Sequence, residues 1–400
     1  MLPAMRKFPT GSAKSIVRML STSASEAPLL TEQSKGGLLQ ITLNRPKALN
    51  ALNLDMCQSM NTLLTNTVNV TDTNVGAFLM KGSGGKAFCA GGDVKSIWTE
   101  LANLPEGTKA GTGKPGYLHT DFFRDEYIMN YKLAESLAPQ VSIWDGFVMG
   151  GGVGVSIFGE FRIATEKAVF AMPETAIGLF PDVGGSSWLP HLQDGVGAYI
   201  GMTGCRLNAA DLIYANMATH YITSEKLADV EDALRSITIP KDPAASRKTV
   251  KETLDAHQIS CVKPDPATSS ILTHAATISR CFGDGSTSVE HIIQKLEEEQ
   301  EDKEFAQATL KTLGKMSPTS LKLTFEQLRR GKQLDLKGCL RMEYRMVMNC
   351  MRGGDFREGI RALLVDRDNS PKWDPSTLAG VTEDRVKSFF EPLGDYDLDV

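Results

Sequence analysis

Twice in the first half of the chain a short apolar run ends in a cluster of glycines. "VGAFLMKGSGGKAFCAGGD" (75–93) passes from Val75–Met80 into Gly82, Gly84, Gly85, Gly91 and Gly92. "PQVSIWDGFVMGGGVGVSIFG" (139–159) passes from an apolar stretch near 140–149 into Gly150, Gly151, Gly152 and Gly154. A short apolar run bounded by glycine reads as a buried strand and then a turn. Upstream, "GLLQITLNRPKALNAL" alternates Leu39, Ile41 and Leu43 with Gln40 and Thr42, a half-buried strand that Pro46 and Asn50 end. Leu52, Met56, Met60, Leu63 and Leu64 then recur at helical spacing, predicting one helix over 52–68. Strand, helix, strand and glycine loop in succession constrain the chain to the α/β class.

"FRIATEKAVFAM" supplies a further strand, and the texture changes beyond about residue 240. "TIPKDPAASRKTVKETLD" and "CVKPDPATSS" are proline-rich and polar, the composition of a linker zone. Past them the pattern is helical. Thr287 and Glu290 have capping-box spacing ahead of "VEHIIQKLEEE", and "PTSLKLTFEQLRR" and "GCLRMEYRMVMNCMR" follow. The organisation expected is a catalytic domain over 28–240 and a mainly helical region over 241–400.

Four hundred residues, 42% of them hydrophobic, can bury a large core. A formal charge of −5 without a basic stripe gives no reason to expect nucleic acid. No apolar run reaches the ~18 residues of a membrane span. Seven cysteines, without a C-x-x-C pair, argue against a disulfide framework, and the six histidines lack a metal-binding spacing, so no metal is expected. Residues 1–25 differ from the rest: Arg6, Lys7, Lys14 and Arg18 lie among serines with no acid before Glu26, the composition of an organellar transit peptide, expected to be mitochondrial with the matrix as destination.

Two carboxylates stand out. In "MPETAIGLFPDVGGS" (172–186), Glu174 and Asp182 are crowded by Met172, Pro173, Ile177, Leu179, Phe180 and Pro181. Burial raises a carboxyl pKa toward the range of bases and nucleophiles, which makes this stretch a candidate active site. The loops "CAGGDVK" (89–95) and "MGGGVG" (149–154) supply what such a site needs, since backbone N–H groups in glycine turns can hold a carbonyl oxygen as negative charge develops on it. Neither loop has the spacing of a nucleotide-binding motif.

"NRPKALNAL", "GKAFCAGGDVK", "DGFVMGGGVG" and "AMPETAIGLFPDVGGS" resemble, in order and spacing, the crotonase (enoyl-CoA hydratase/isomerase) superfamily over residues 30–240. "FFRDEY", "KMSPTSLKLT" and "MEYRMVMNCMRGGDFREGIRALLVDRDNSPKW" extend the resemblance to its acyl-CoA hydrolases, almost to the C-terminus. The resemblance implies a crotonase-like spiral of ββα units that holds an acyl-CoA thioester, its carbonyl oxygen between the N–H groups of Gly92 and Gly151. It implies that Glu174 attacks the carbonyl or activates a water, and that Asp182 positions or protonates water and leaving group. Glu126 would line the acyl pocket and bond a substrate hydroxyl, against the plainer alternative of an exposed partner for Arg124 or Lys132. Lys47 and Lys95 would meet the CoA portion. Hydratases of the superfamily carry a second glutamate where this chain has Gly154, so hydration is disfavoured. The activity implied is hydrolysis of 3-hydroxyisobutyryl-CoA, with 3-hydroxypropionyl-CoA as a relative one methyl smaller. A hydratase/isomerase and a non-enzymatic component of organellar ribosomes are the alternatives, and a homo-oligomer is the assembly that the superfamily implies.

Overall fold

The computed structural model describes residues 27–69 and 73–400; the transit-peptide segment lies outside them. Nine strands form two sheets among the described residues. The large sheet has the order β1 (Leu29–Gln33), β2 (Leu38–Leu43), β3 (Ala77–Gly82), β5 (Gln140–Trp144), β7 (Phe161–Ala164) and β9 (His220–Tyr221). All its neighbours run parallel except β1. The small sheet is β4 (Ala87–Cys89), β6 (Phe147–Met149) and β8 (Val169–Ala171), all parallel.

Chain order explains this arrangement. β3 is followed by β4, β5 by β6 and β7 by β8, so each turn lays one strand in the large sheet, one in the small sheet, and then a helical segment. The result is a spiral of ββα units. The apolar stretches near 140–149 and over 161–172, each expected as one strand, are therefore two strands apiece. Between β5 and β6 the chain changes sheet at Asp145 and Gly146, where Gly146 adopts a φ of +85° and a Cβ would meet the Lys86 carbonyl oxygen at 2.2 Å. The spacing of apolar residues reports burial but not a change of sheet.

Inside its exposed edge strand β1, the large sheet is buried on both faces. Leu39, Ile41, Leu43, Phe78 and Met80 face the main core, whereas Leu38, Ala77, Leu79, Val141 and Ile143 face a second core. Gln40, expected on a solvated face, is accordingly buried and accepts a hydrogen bond from Arg235. Interior strands of parallel sheets are covered on both sides, which hides the simple alternation. The cover comes from the stretch expected as a linker. Pro243–Gln258 is a helix of 16 residues whose Val250 and Leu254 join the second core. Asp242 caps it by accepting from the Ala245 N–H, and Pro243 sits in its first turn, where its missing donor costs nothing.

The predicted helix over 52–68 is α1 (Leu54–Leu63), capped by Asn53 and continued as a π-helical turn over Leu64–Val68. Helix α2 (Val94–Ala102) follows the first glycine loop, and α3 (Leu118–Ala134) packs across α1. Ser288, rather than Thr287, caps the helix Val289–Glu298 through the His291 N–H, which shifts that helix start by one residue. The C-terminal helices Pro318–Gly331 and Leu336–Arg352 pack into the main core, so apolar residues from Leu39 to Leu398 form one cluster.

Candidate active site

The small sheet assembles the site. Its three strands are parallel, Phe147 opposite both Ala87 and Val169, with one register shift between Ala87 and Cys89 that sets Cys89 opposite Val148, so their C-terminal ends lie side by side. From those ends emerge the loops that carry Gly92, Gly151 and Glu174. Residues far apart in the chain thereby meet at one edge.

The first loop is held by Leu52, whose N–H donates to the Gly91 carbonyl at 2.8 Å and whose carbonyl accepts from the Asp93 N–H at 2.7 Å. In that parallel bridge the N–H of Gly92 points the other way, and it donates to no protein acceptor among the described residues. Gly151 opens α4 (Gly151–Gly154), so its N–H has no partner within the helix. The two donors face one region: a Cβ placed on Gly151 would lie 3.3 Å from the Gly92 nitrogen and 2.5 Å from Glu126 Oε1. One placed on Gly150 would lie 2.9 Å from Glu174 Oε1. A side chain at either position would have to displace one of these carboxylate oxygens, and at Gly150 it would also be strained by a φ of +48°.

Glu174, Asp182 and Glu126 are all buried. Glu174 begins a 3-10 turn directly after Pro173, and its Oε2 has no hydrogen-bond partner. Glu126 lies on the buried face of α3 with Oε1 likewise unpartnered. Its alternative partners are engaged elsewhere: Arg124 donates to the Gly113 and Tyr396 carbonyls, and Lys132 to Thr65. Asp182 accepts from the Tyr127 hydroxyl at 2.7 Å. Burial pushes the Glu174 and Glu126 carboxyls well above their usual range, and the nearby Asp182 adds to both. Burial also pushes Asp182 up to about 6, against the opposing effect of the Tyr127 hydrogen bond. Three carboxyls that resist ionisation, clustered beside free N–H donors, suit proton transfer and nucleophilic attack near neutral pH.

Gly154 is packed shut. A Cβ there would meet Val183 Cβ at 2.5 Å and Asn130 Nδ2 at 2.9 Å, so a glutamate at this position has no room. Lys47 and Lys95 are exposed, on a turn over Pro46–Ala48 and in the first turn of α2. Their segments are tied by the ion pair of Arg45 with Asp93 at 2.9 Å and by the Ala90 N–H bonded to the Leu49 carbonyl. Among the described residues no group of His, Cys, Asp and Glu is arranged to hold a metal ion.

Sequence reasoning missed four residues. Tyr127 bonds Asp182, and Asn130 is fully buried with neither end of its amide paired. Glu343, fully buried on Leu336–Arg352, accepts from the Gly184 N–H at 2.7 Å, the Ser186 N–H at 2.8 Å and the Ser186 hydroxyl. Gln327 donates to the Pro181 carbonyl and to Ser186 Oγ. Each is a buried polar residue on a helix, a position that no local pattern in the sequence marks as part of the site. Between these anchors Val183 adopts a φ of +52°, a left-handed conformation that costs a β-branched residue roughly 1–3 kcal/mol.

A sequence profile for enoyl-CoA hydratase/isomerase matches residues 38–390. The chain belongs to the enoyl-CoA hydratase/isomerase family. Within it, the chain is 42% identical over 382 residues to a Rattus norvegicus protein named 3-hydroxyisobutyryl-CoA hydrolase, mitochondrial, covering 96% of this chain and 93% of that one. A Homo sapiens protein of the same name is 43% identical, with 94% and 92% covered. A solved structure of a carnitinyl-CoA dehydratase from Mycobacterium thermoresistibile superimposes with a TM-score of 0.79 at 34% identity, covering 93% of this chain and 98% of that one. The enoyl-CoA hydratase/isomerase fold is thus common to relatives whose names specify different reactions, and the side chains at the site have to distinguish them.

Proposed function

We propose that the chain hydrolyses 3-hydroxyisobutyryl-CoA to 3-hydroxyisobutyrate and free CoA, a step of valine degradation, and accepts 3-hydroxypropionyl-CoA as well. The observation that carries this reading is Glu174, a buried carboxylate with an unpartnered oxygen beside the free N–H groups of Gly92 and Gly151. The thioester carbonyl oxygen accepts from both N–H groups, which stabilise the charge that develops there. Glu174 either adds to the carbonyl carbon, expelling CoA thiolate and leaving a mixed anhydride that water opens, or removes a proton from the water that adds. Both routes consume one water and give the acid and the thiol. Asp182, steadied by Tyr127, orients that water and exchanges the proton that the departing sulfur takes. Glu126 accepts from the substrate hydroxyl, and Lys47 and Lys95 meet the CoA phosphates. CoA enters as part of the substrate, with no separate cofactor.

The names of the relatives and the basic, serine-rich start of this chain support a mitochondrial matrix location, and family membership supports a homo-oligomer, which light scattering reads directly. Dehydration or hydration is favoured by the likeness to the carnitinyl-CoA dehydratase and opposed by the closed space at Gly154. The test is free-thiol release from 3-hydroxyisobutyryl-CoA by wild type and Glu174→Ala, with crotonyl-CoA hydration assayed in parallel. Release that falls by several orders of magnitude in the variant is expected. No release by wild type, with turnover of crotonyl-CoA, overturns the proposal.

A further inference from the structure

We propose that Glu343 and Gln327 are positioning residues for Asp182, so that the two C-terminal helices set the active carboxylate from outside the spiral. The inference rests on the reading of Asp182 as part of the reacting site. The loop Pro181–Ser186 leaves the spiral after Phe180 and makes three consecutive unusual moves: Asp182 turns inward to Tyr127, Val183 takes a φ of +52°, and Gly184 one of +86°. Nothing in a left-handed valine is self-sustaining, so groups outside the loop must hold it.

Those groups are at its two ends. Gln327, fully buried on Pro318–Gly331, donates to the Pro181 carbonyl just before Asp182 and to Ser186 Oγ just after the bend. Glu343 receives the Gly184 and Ser186 N–H groups, one on each carboxylate oxygen, and the Ser186 hydroxyl. Both carboxyl oxygens of Glu343 are thus engaged, and the bend is clamped on both sides of Val183. Tyr344, next in the chain, packs edge-on against Tyr127 with ring centroids 6.3 Å apart, so the same helix also backs the residue that bonds Asp182. A buried carboxylate that accepts two backbone N–H groups fixes the path of the chain more tightly than apolar packing does, because a shift of the loop leaves a buried acceptor unpaired. Val183 Cβ in turn fills the space at Gly154. The clamp therefore sets where Asp182 sits and also closes the position that a second glutamate would occupy.

The test measures kcat, KM and the pH profile of free-thiol release for wild type, Asp182→Asn, Glu343→Gln, Gln327→Ala and Ser186→Ala, with folding followed by circular dichroism. Asp182→Asn must lose activity; full activity there refutes the role of Asp182 itself and leaves the clamp without a purpose. With that control met, Glu343→Gln is expected to lose ~10–100-fold in kcat with KM nearly unchanged, the scale of misplacing a reacting group by about 1 Å. Gln327→Ala should lose less, and Ser186→Ala, which keeps its N–H bond to Glu343, least. The acid limb of the profile should also move to lower pH in Glu343→Gln, because a loosened loop lets water reach Asp182, which faces Tyr127, Glu126, Glu174, Glu343 and Cys350, and burial is what raises it. Loss of activity only in proportion to unfolded protein, with the acid limb unmoved, overturns the inference. If Glu343→Gln does not fold, Gln327→Ala with unchanged kcat overturns it equally.

Discussion

The two glycine loops and the loop that bears Asp182 hold their shapes by different means. Gly92 and Gly151 are fixed inside the spiral: their strands pair side by side, and Leu52 bridges the first loop. Asp182 lies on a bend that strand pairing does not reach, held by side chains about 140 to 160 positions further along the chain. The difference teaches that the donor pair is a product of the repeating fold, whereas the Asp182 loop is an addition that the C-terminal helices support. Substitutions in the spiral should strike the carbonyl-binding step, and those at the bend should strike the water and proton steps.

The sharpest break of that contrast is Gly151→Ala. Its methyl group would collide with Glu126 Oε1 and crowd the Gly92 nitrogen, so a loss in turnover of ~10²–10³, as for a lost oxyanion donor, is expected from steady-state kinetics. Asp182→Asn should act in the opposite sense on stability. The folded state raises this carboxyl to about 6 from an ordinary 3.8, so the native protein holds the proton more tightly than the unfolded chain does. That preference favours the fold at acid pH and is lost as pH rises through about 6, where the buried group must ionise. The asparagine variant avoids the cost. It should gain up to about 3 kcal/mol over wild type in urea unfolding near pH 8 and much less near pH 4, while losing activity. Equal gains at both values would show that Asp182 is not held in a desolvated site.

Gly154→Glu is the next in size. If the site were a hydratase with one residue missing, this change would restore crotonyl-CoA hydration. The collision with Val183 and Asn130 predicts instead no hydration and a loss of roughly 1–3 kcal/mol in thermal or urea unfolding. Lys95→Ala should have the smallest effect, a loss of CoA affinity of about 1 kcal/mol or less that shrinks as salt is added, because the ammonium is exposed and screened. Calorimetric titration with CoA at two ionic strengths reads it; an affinity loss that salt leaves unchanged would remove the electrostatic role.

What was legible in the sequence follows the same division. Glycines after strands announce free N–H groups, and carboxylates among apolar neighbours announce burial, so the two glycine loops, Glu174 and Asp182 stood out locally, while the choice of Gly92 and Gly151 within those loops came from the resemblance. Glu126 came from the resemblance, and its burial on α3 excludes the surface pairing with Arg124 or Lys132. Change of sheet at Asp145 and Gly146 was illegible because one apolar run serves two short strands equally well. The helix Pro243–Gln258 was hidden by Pro240 and Pro243, the second of which marks the helix start rather than a break. Tyr127, Gln327 and Glu343 are hydrogen-bond partners across long stretches of chain, and no spacing within a window of sequence reports them.

The distance along the chain between the bend and its anchors has a consequence in time. A ribosome releases the glycine loops and Glu174 long before it reaches Glu343, 157 positions beyond Ser186. Until that helix exists, the Gly184 and Ser186 N–H groups lack the acceptor on which the bend closes. A chain grown or cut short of that helix therefore carries an unfinished centre, and a stretch synthesised later completes the geometry of an earlier one.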